Sequence, residues 1–247
     1  MMLFNSEGNK IKHHLPNVVL MGDSITDNKD DHGWWVDMIT DYVTFDSLNN
    51  YACGYARWTL ASDTVEDLTT HNHVAASWNV IWNQVNRLKK DVNNGTVSVP
   101  DVIVVFAGTN DVTLGQTMGS VETAFDGADI LSKSFANIAN MAQSIRYTCE
   151  YIKSLYPDTQ IILATPLQRK DKTAAAWQCR DVIIGCAKNL SLKVIDQMGE
   201  LGIYGYSESV SSYHLSNNYS NDVHPTQNAG SRLIARFLAK EFAQKII

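Results

Sequence analysis

Residues 18–28 read VVLMGDSITDN, in which four apolar residues run directly into Gly22, Asp23 and Ser24. A short apolar run that ends in turn residues is typical of a buried strand in a parallel sheet. Ligands of open α/β sheets bind just beyond the carboxyl ends of such strands. Ser24 therefore stands where a nucleophile could act, provided that a base and an oxyanion site lie nearby. Without them, Ser24 or Asp23 only caps a turn.

Other apolar strands follow along the chain, and segments with helical spacing separate them. This alternation predicts an α/β fold, a single-domain three-layer α/β/α sandwich with a central parallel sheet. Strands are predicted at 17–21, 101–107, 160–166 and 192–196, with a further strand near 43–45 or just before 51–54. Helices are predicted at 34–43, 128–155, 174–190 and about 227–245.

The chain is predicted to form one domain, because neither a linker nor an internal repeat divides it. Residues 1–16 are expected to be an N-terminal arm that ends at Pro16, and residues 17–247 to be the domain. The segment of about 61–98 is longer than a crossover between parallel strands requires. We therefore expect a helical insertion there that walls one side of a cleft.

The composition restricts the possible partners. The net charge of −6 carries no offsetting basic run, which argues against nucleic acid. No stretch approaches the roughly 20 apolar residues that span a bilayer, so no membrane insertion is expected. The polar N-terminus shows no signal peptide, and the location stays open between a cytoplasmic protein, a processed form and a domain of a larger protein. The four cysteines lack metal-ligand spacing, which predicts buried thiols and mildly favours a reducing compartment.

Acyl transfer needs a nucleophile, a base and donors for the oxyanion. Ser24, Gly54 and Asn110 each follow a strand, so a parallel sheet would bring them to one edge. His224 precedes the last helix and is the candidate base, because imidazole titrates nearest neutrality. The candidate oxyanion donors are the main-chain N–H groups of Ser24 and Gly54 and the side-chain amide of Asn110. Gly54 suits this role because backbone without a side chain can approach a substrate oxygen closely.

These residues resemble the sequence blocks of the SGNH, or GDSL-type, serine hydrolases. Residues 22–26 are similar to the first block, which holds the nucleophilic serine, and Gly54 falls where the oxyanion glycine belongs. Residues 108–111 resemble the block with the oxyanion asparagine, and residues 224–226 the block with the base histidine. The resemblance runs from about residue 17 to the C-terminus, and it implies a flavodoxin-like sheet and an ester hydrolase.

One departure from the family concerns the acid that orients the histidine. The family usually places it three residues before the histidine, where this chain has Asn221, whereas Asp222 lies two residues before. Three alternatives stay open: Asp222 orients His224, Asn221 does so, or a main-chain carbonyl does so and leaves a Ser-His dyad. Asp222 is preferred because a carboxylate stabilises the imidazolium that forms during attack.

Further candidate residues surround this set. Tyr55, Arg57 and Trp58 follow the oxyanion glycine and are candidate substrate contacts. Asp23 is expected to be structural, because aspartate side chains stabilise turns through local hydrogen bonds. The loop carboxylates are expected to be solvated rather than to bind a metal, and no cofactor is implied. They are Asp27, Asp30 and Asp31.

The leading hypothesis is a serine esterase that works through an acyl-enzyme intermediate and removes small acyl groups, such as acetyl, from a carbohydrate. The chain lacks a long exposed apolar stretch that would suit a lipid interface. The alternatives are a catalytically weakened glycan-binding module and a lipase- or thioesterase-type acylhydrolase. A metal-assisted phosphoesterase that uses Asp23, Asp27 and Asp31 is a further alternative. The sequence leaves the oligomeric state open.

Overall fold

A sheet of five parallel strands runs through this computed structural model, which describes residues 12–29, 32–60, 79–169, 173–205, 214–216 and 223–246. The strands are β1 (His13–Gly22), β2 (Val43–Asn50), β3 (Val102–Phe106), β4 (Gln160–Ala164) and β5 (Lys193–Ile195). Their spatial order is β2-β1-β3-β4-β5. The helices are α1 (Trp34–Met38), α2 (Ile81–Asn93), α3 (Thr109–Thr113), α4 (Val121–Ala124), α5 (Met141–Leu155), α6 (Thr173–Asn189), α7 (Gln197–Glu200) and α8 (Ala229–Lys245). In the part of the chain that is described, none of them is long and apolar enough to cross a membrane.

The sheet is covered on both faces by helices. One hydrophobic core joins alternate residues of β1 and β3 to α2, α5 and α6, and a second joins the other residues of these strands to α1 and α8. A strand buried on both faces is apolar throughout rather than alternating, which explains the apolar runs in the sequence. The predicted three-layer α/β sandwich is therefore confirmed.

The first strand begins at His13, four residues before the predicted start. His13 pairs with Val43, and the pairing with β3 starts only at Val18. Pro16 therefore lies where β1 pairs on one side alone, and a proline without an N–H is tolerated at such a position. The proline was wrongly taken as the boundary of the strand. Residues 1–11 of the predicted arm lie outside the described residues, and the division into arm and domain stays a prediction.

The predicted helix over 128–155 is in part wrong, because only its second half is α-helical. Two short 3₁₀ turns, Ile130–Ser132 and Phe135–Asn137, precede α5. The side chain of Asn140 accepts a hydrogen bond from the N–H of Gln143 and so begins a new helix there. Polar side chains that bond to nearby main chain compete with helical hydrogen bonds, and this stops the helix from extending backwards.

The four cysteines are buried free thiols, as the sequence predicts. Burial raises the pKa of the Cys186 thiol to about 12. It also raises the pKa of Cys149 above its usual range. Protonated thiols are poor nucleophiles, so these side chains act as small apolar groups within the core.

Helix α2 fixes the end of β1. The buried side chain of Gln84 accepts a hydrogen bond from the N–H of Gly22 at 2.9 Å and donates one to its carbonyl at 2.7 Å. Gly22 begins the turn that carries Ser24, so α2 sets the position of that turn. Helix α2 lies in the predicted insertion of about 61–98, of which residues 61–78 are outside the described residues.

The end of β5 is fixed by Asp196, which follows the strand directly. Its carboxylate accepts hydrogen bonds from Arg180 Nε at 3.0 Å, Thr165 Oγ1 at 3.0 Å and the N–H of Gly199 at 3.1 Å. Burial by itself would raise the pKa of Asp196, but these hydrogen bonds outweigh it and hold that pKa below its ordinary value of 3.8.

We predict that Asp196→Asn lowers the free energy of unfolding at pH 7 by about 1–3 kcal/mol, because Arg180 loses a charged acceptor. The pKa of Asp196 is lower in the folded state, so its contribution is present above 3.8 and is lost as the pH falls through the folded-state pKa. Urea unfolding at several pH values should show the gap between the two proteins shrinking below pH 3.8. The exposed Asp158→Asn serves as control, and a gap that is independent of pH contradicts the prediction.

Candidate active site

Ser24 and His224 are hydrogen-bonded to each other although 200 residues separate them. Ser24 Oγ lies 2.8 Å from His224 Nε2. Ser24 stands on the turn after β1, and His224 begins β7 (His224–Pro225), which pairs antiparallel with β6 (Leu215–Ser216). A nucleophile and its base need this separation of about 2.6–3.2 Å. The sequence predicted both residues but not the β6–β7 pair, because two-residue strands have no periodicity.

Asp23 folds the chain into the turn that presents Ser24. Its carboxylate accepts a hydrogen bond from the N–H of Ile25, and its carbonyl accepts from the N–H groups of Thr26 and Asp27. The preceding Gly22 is packed so closely that a Cβ there would lie 2.6 Å from the carbonyl oxygen of Phe106. A glycine and a buried aspartate are thus what this turn requires, in agreement with the structural role predicted for Asp23.

The main-chain N–H of Gly54 is engaged by a carboxylate in this structure. It donates to Asp27 Oδ2 at 3.0 Å, and Asp27 is buried three residues after Ser24. The N–H that was predicted as an oxyanion donor therefore already has an acceptor. The prediction missed this contact because Asp27 was expected to be solvated, together with Asp30 and Asp31, which lie outside the described residues.

Asn110 lies at the start of α3, directly after β3. One N–H of its buried side-chain amide donates to the carbonyl of Ala56 at 2.9 Å, and an amide nitrogen has a second hydrogen to give. Gly108 before it has φ +130°, and a Cβ there would lie 2.6 Å from Cys179 Sγ. This tight turn brings the Asn110 amide against the segment that follows β2.

The neighbouring Asp111 braces the same segment. Its fully buried carboxylate accepts hydrogen bonds from the N–H of Trp58 at 3.0 Å, the N–H of Thr59 at 3.1 Å and Thr59 Oγ1 at 2.8 Å. Burial raises the pKa of Asp111, although these hydrogen bonds and the charge of Arg57 oppose the shift. Asn110 and Asp111 together tie α3 to residues 56–59.

The three predicted substrate contacts differ in accessibility. Tyr55 is 43% exposed and has a left-handed backbone with φ +62°. Trp58 is 1% exposed within the core, and Arg57 is 3% exposed with its Nε donating to the carbonyl of Thr59 at 2.9 Å. Tyr55 is thus the most accessible of the three, and the contacts of all three with substrate stay a prediction.

His32 is a site residue that sequence reasoning missed. Its ring lies 4.2 Å from the ring of His224, centroid to centroid, and also packs edge-on against Trp34 at 5.1 Å. Its main-chain N–H donates to the carbonyl of Ser24 at 3.1 Å. No motif marks a single histidine in a polar loop, so only the folded chain shows that it borders the Ser24–His224 pair.

Several predicted residues cannot be placed. Asp222 and Asn221 lie outside the described residues, so the choice of the residue that orients His224 stays a prediction. Asp31 of the metal hypothesis also lies outside them. Within the described ranges, no group of three or more His, Cys, Asp and Glu residues could hold a metal ion.

A parallel α/β sheet with a serine and a histidine in contact at its carboxyl edge is typical of serine hydrolases. The chain belongs to the GDSL-like lipase/acylhydrolase family, whose family model matches residues 20–232. None of the curated proteins compared with the chain matches it.

Several solved structures share the fold. A protein from Lactobacillus plantarum has a TM-score of 0.64 at 13% identity, over 96% of this chain and 100% of that one. A lipase/acylhydrolase from Enterococcus faecalis has a TM-score of 0.57 at 16% identity, over 94% and 97%. An acetyl xylan esterase has a TM-score of 0.53 at 17% identity, over 92% and 99%. At these identities the likeness concerns the fold alone.

We predict that Asp111→Asn lowers the free energy of unfolding by about 1–3 kcal/mol. An amide accepts with one oxygen only, so a buried N–H of Trp58 or Thr59 loses its acceptor. Urea unfolding measures the change, and the exposed Asp126→Asn should stay within about 0.5 kcal/mol of the wild type. Equal stability of Asp111→Asn and the wild type would show that this carboxylate does not brace the segment.

Proposed function

We propose that the chain is a serine esterase that forms an acyl-enzyme intermediate. The observation that carries the proposal is the hydrogen bond between Ser24 Oγ and His224 Nε2 at 2.8 Å. Ser24 attacks the ester carbonyl while His224 takes its proton, and His224 then protonates the leaving alcohol. Water activated by His224 attacks the acyl-enzyme, releases the acid and restores Ser24.

The negative charge on the tetrahedral intermediate needs donors that are not already bonded. On either side of Ser24, the N–H of Asp23 donates to Phe106 O and the N–H of Ile25 donates to Asp23 Oδ1. The N–H of Ser24 itself has no acceptor among the described residues, so it is available to a substrate oxygen. The second N–H of the Asn110 amide is a further donor. We therefore assign Ser24 N–H and Asn110 Nδ2 to the oxyanion.

We propose Asp222 as the residue that orients His224, with Asn221 and a main-chain carbonyl as alternatives. The reason is chemical, because a carboxylate stabilises the imidazolium better than a neutral amide does. A histidine that is already hydrogen-bonded to the serine needs only a partner for its second ring nitrogen. The alternatives differ in turnover rate rather than in reaction class.

For the substrate we propose small acyl groups, acetyl above all, on a carbohydrate. Five large apolar side chains are exposed in the described residues, and they come from five separate segments. Five exposed apolar residues are few for a lipid-binding surface, and this supports a water-soluble substrate. Three of these residues are aromatic with a polar end, a character that suits a wet, partly apolar ligand such as a sugar. They are Tyr55, Trp177 and Tyr204.

The alternatives are less well supported. A glycan-binding module needs no hydrogen bond between serine and histidine, yet the two side chains are within bonding distance. A metal-assisted phosphoesterase would need free carboxylates, but Asp23 and Asp27 both accept main-chain hydrogen bonds. A lipase- or thioesterase-type activity differs only in the preferred acyl length and is decided by substrate choice.

Replacing Ser24 by alanine should lower kcat for p-nitrophenyl acetate by roughly 10⁴-fold or more, because the nucleophile is lost. A serine-directed phosphonate should label the wild type at Ser24 and leave the variant unlabelled. The exposed Ser98→Ala is the matched control and should keep the wild-type rate. Unchanged hydrolysis by Ser24→Ala rules out the proposed mechanism, and a rate abolished by EDTA would favour a metal enzyme.

We expect kcat/KM to be at least about tenfold higher for p-nitrophenyl acetate than for the decanoate ester. The physical reason is that the proposed small acyl site would have to exclude the longer chain. Release of acetate from acetylated xylo-oligosaccharides, measured by NMR, tests the carbohydrate part of the proposal. A preference for the decanoate ester would instead support a lipase-type acylhydrolase.

A further inference from the structure

The main-chain N–H groups of the segment after β2 can be traced to their acceptors one by one, as buried backbone requires. In residues 51–59, every N–H except that of Tyr55 has an acceptor. Tyr51 donates to Leu20 O, Ala52 to Asn50 Oδ1, Cys53 to Gly22 O, Gly54 to Asp27 Oδ2, Ala56 to Cys53 O, Arg57 to Asn79 O, and Trp58 and Thr59 to Asp111. The N–H of Tyr55 has none among the described residues.

Tyr55 also has an unusual backbone conformation. Its φ of +62° is in the left-handed region, which costs roughly 1–2 kcal/mol for a residue with a Cβ. Its neighbours hold it there, since Gly54 N–H is bonded to Asp27, Ala56 N–H to Cys53 and Ala56 O to Asn110. Strain of this kind collects at functional sites, where the surrounding contacts impose it.

Two hydrogen bonds bring this turn to the turn of Ser24, and a third joins it to Asn110. Cys53 N–H donates to Gly22 O at 3.1 Å, and Gly54 N–H donates to Asp27 Oδ2 at 3.0 Å. Gly22 and Asp27 are the two ends of the turn that carries Ser24. Cys53 and Gly54, which contact them, are the two residues directly before Tyr55. The amide of Asn110, itself an assigned oxyanion donor, bonds to the carbonyl of the next residue at 2.9 Å.

We propose that the main-chain N–H of Tyr55, and not that of Gly54, is the third oxyanion donor. This inference rests on the proposed esterase function. The developing oxyanion accepts a hydrogen bond from Tyr55, Ser24 and Asn110, and no proton is transferred. Asp27 is a positioning residue, because it binds the Gly54 N–H and thereby fixes the turn that leaves Tyr55 N–H unbonded.

Amide-to-ester replacement tests this assignment in the full chain. Substituting the α-hydroxy acid of tyrosine at position 55 removes the N–H and keeps the side chain. We expect kcat for p-nitrophenyl acetate to fall by about 10²–10³-fold with little change in KM. The matched control is the same replacement at Ala52, whose N–H donates to Asn50 Oδ1, and it should leave kcat within a few fold. At Gly54 the replacement removes the contact with Asp27, so kcat should fall, but less than at position 55. The reverse pattern overturns the proposal.

Wild-type protein labelled with ¹⁵N gives a readout that does not depend on folding of a variant. On reaction with diethyl p-nitrophenyl phosphate, whose phosphoryl oxygen stands in for the oxyanion, the Tyr55 amide proton should move downfield and that of Gly54 should not. A shift at Gly54 alone overturns the proposal.

If Ser24→Ala abolishes turnover while the ester at 55 does not, the inference fails and the esterase stands. If Ser24→Ala keeps turnover, the esterase itself fails.

Discussion

The parallel register of β1 with its two neighbours is the constraint on which the site depends. Gly22 is paired with Phe106 and Leu20 with Asn50, so β1, β2 and β3 end at nearly the same level of the sheet. The segments that follow these strands therefore emerge side by side at one edge. This is why Ser24, the turn at 54–56 and Asn110 meet although they come from distant parts of the chain. A one-residue slip would move every side chain of β1 to the opposite face of the sheet and so into the other core, and the packing of both cores therefore fixes the register.

Buried carboxylates hold the turns at this edge. Asp23 accepts a hydrogen bond from a main-chain N–H within the turn of Ser24, and Asp27 accepts one from Gly54. Asp111 accepts hydrogen bonds from the main-chain N–H groups of Trp58 and Thr59. Burying a carboxylate is costly unless hydrogen bonds compensate, and here the main chain supplies them. This arrangement leaves the N–H groups of Ser24 and Tyr55 without an acceptor among the described residues. These are the groups that we propose to stabilise the oxyanion.

The strand after Asn17 and the turn at Ser24 were predictable because apolar runs and Gly-Asp-Ser carry a local signal. The position of Asn110 after a strand and the chemistry of imidazole pointed to Asn110 and His224, the family resemblance agreed with both, and the fold brings His224 to Ser24. The contact between Asp27 and Gly54, the burial of Trp58 and the position of His32 could not be predicted. Each depends on hydrogen bonds or packing between segments far apart in sequence, which no periodicity records. The break in the helix before Met141 depends on a single N-cap residue, Asn140. An asparagine can lie inside a helix or begin one, and only the folded chain shows that this one begins a helix.

The contact of Gln84 with Gly22 has a consequence for how the enzyme can vary. Its side-chain amide engages both the N–H and the carbonyl of Gly22, as a neighbouring strand would. At Gly22, which leads into the turn of Ser24, a side chain of α2 thus supplies hydrogen bonds of the kind that a strand would supply. Side chains that pack α2 against the sheet, such as Val85 and Leu88, consequently influence the placement of Ser24 from a distance. If Ser24 is the nucleophile that we propose, substitutions in this helix would change the turnover rate without changing any residue of the proposed site.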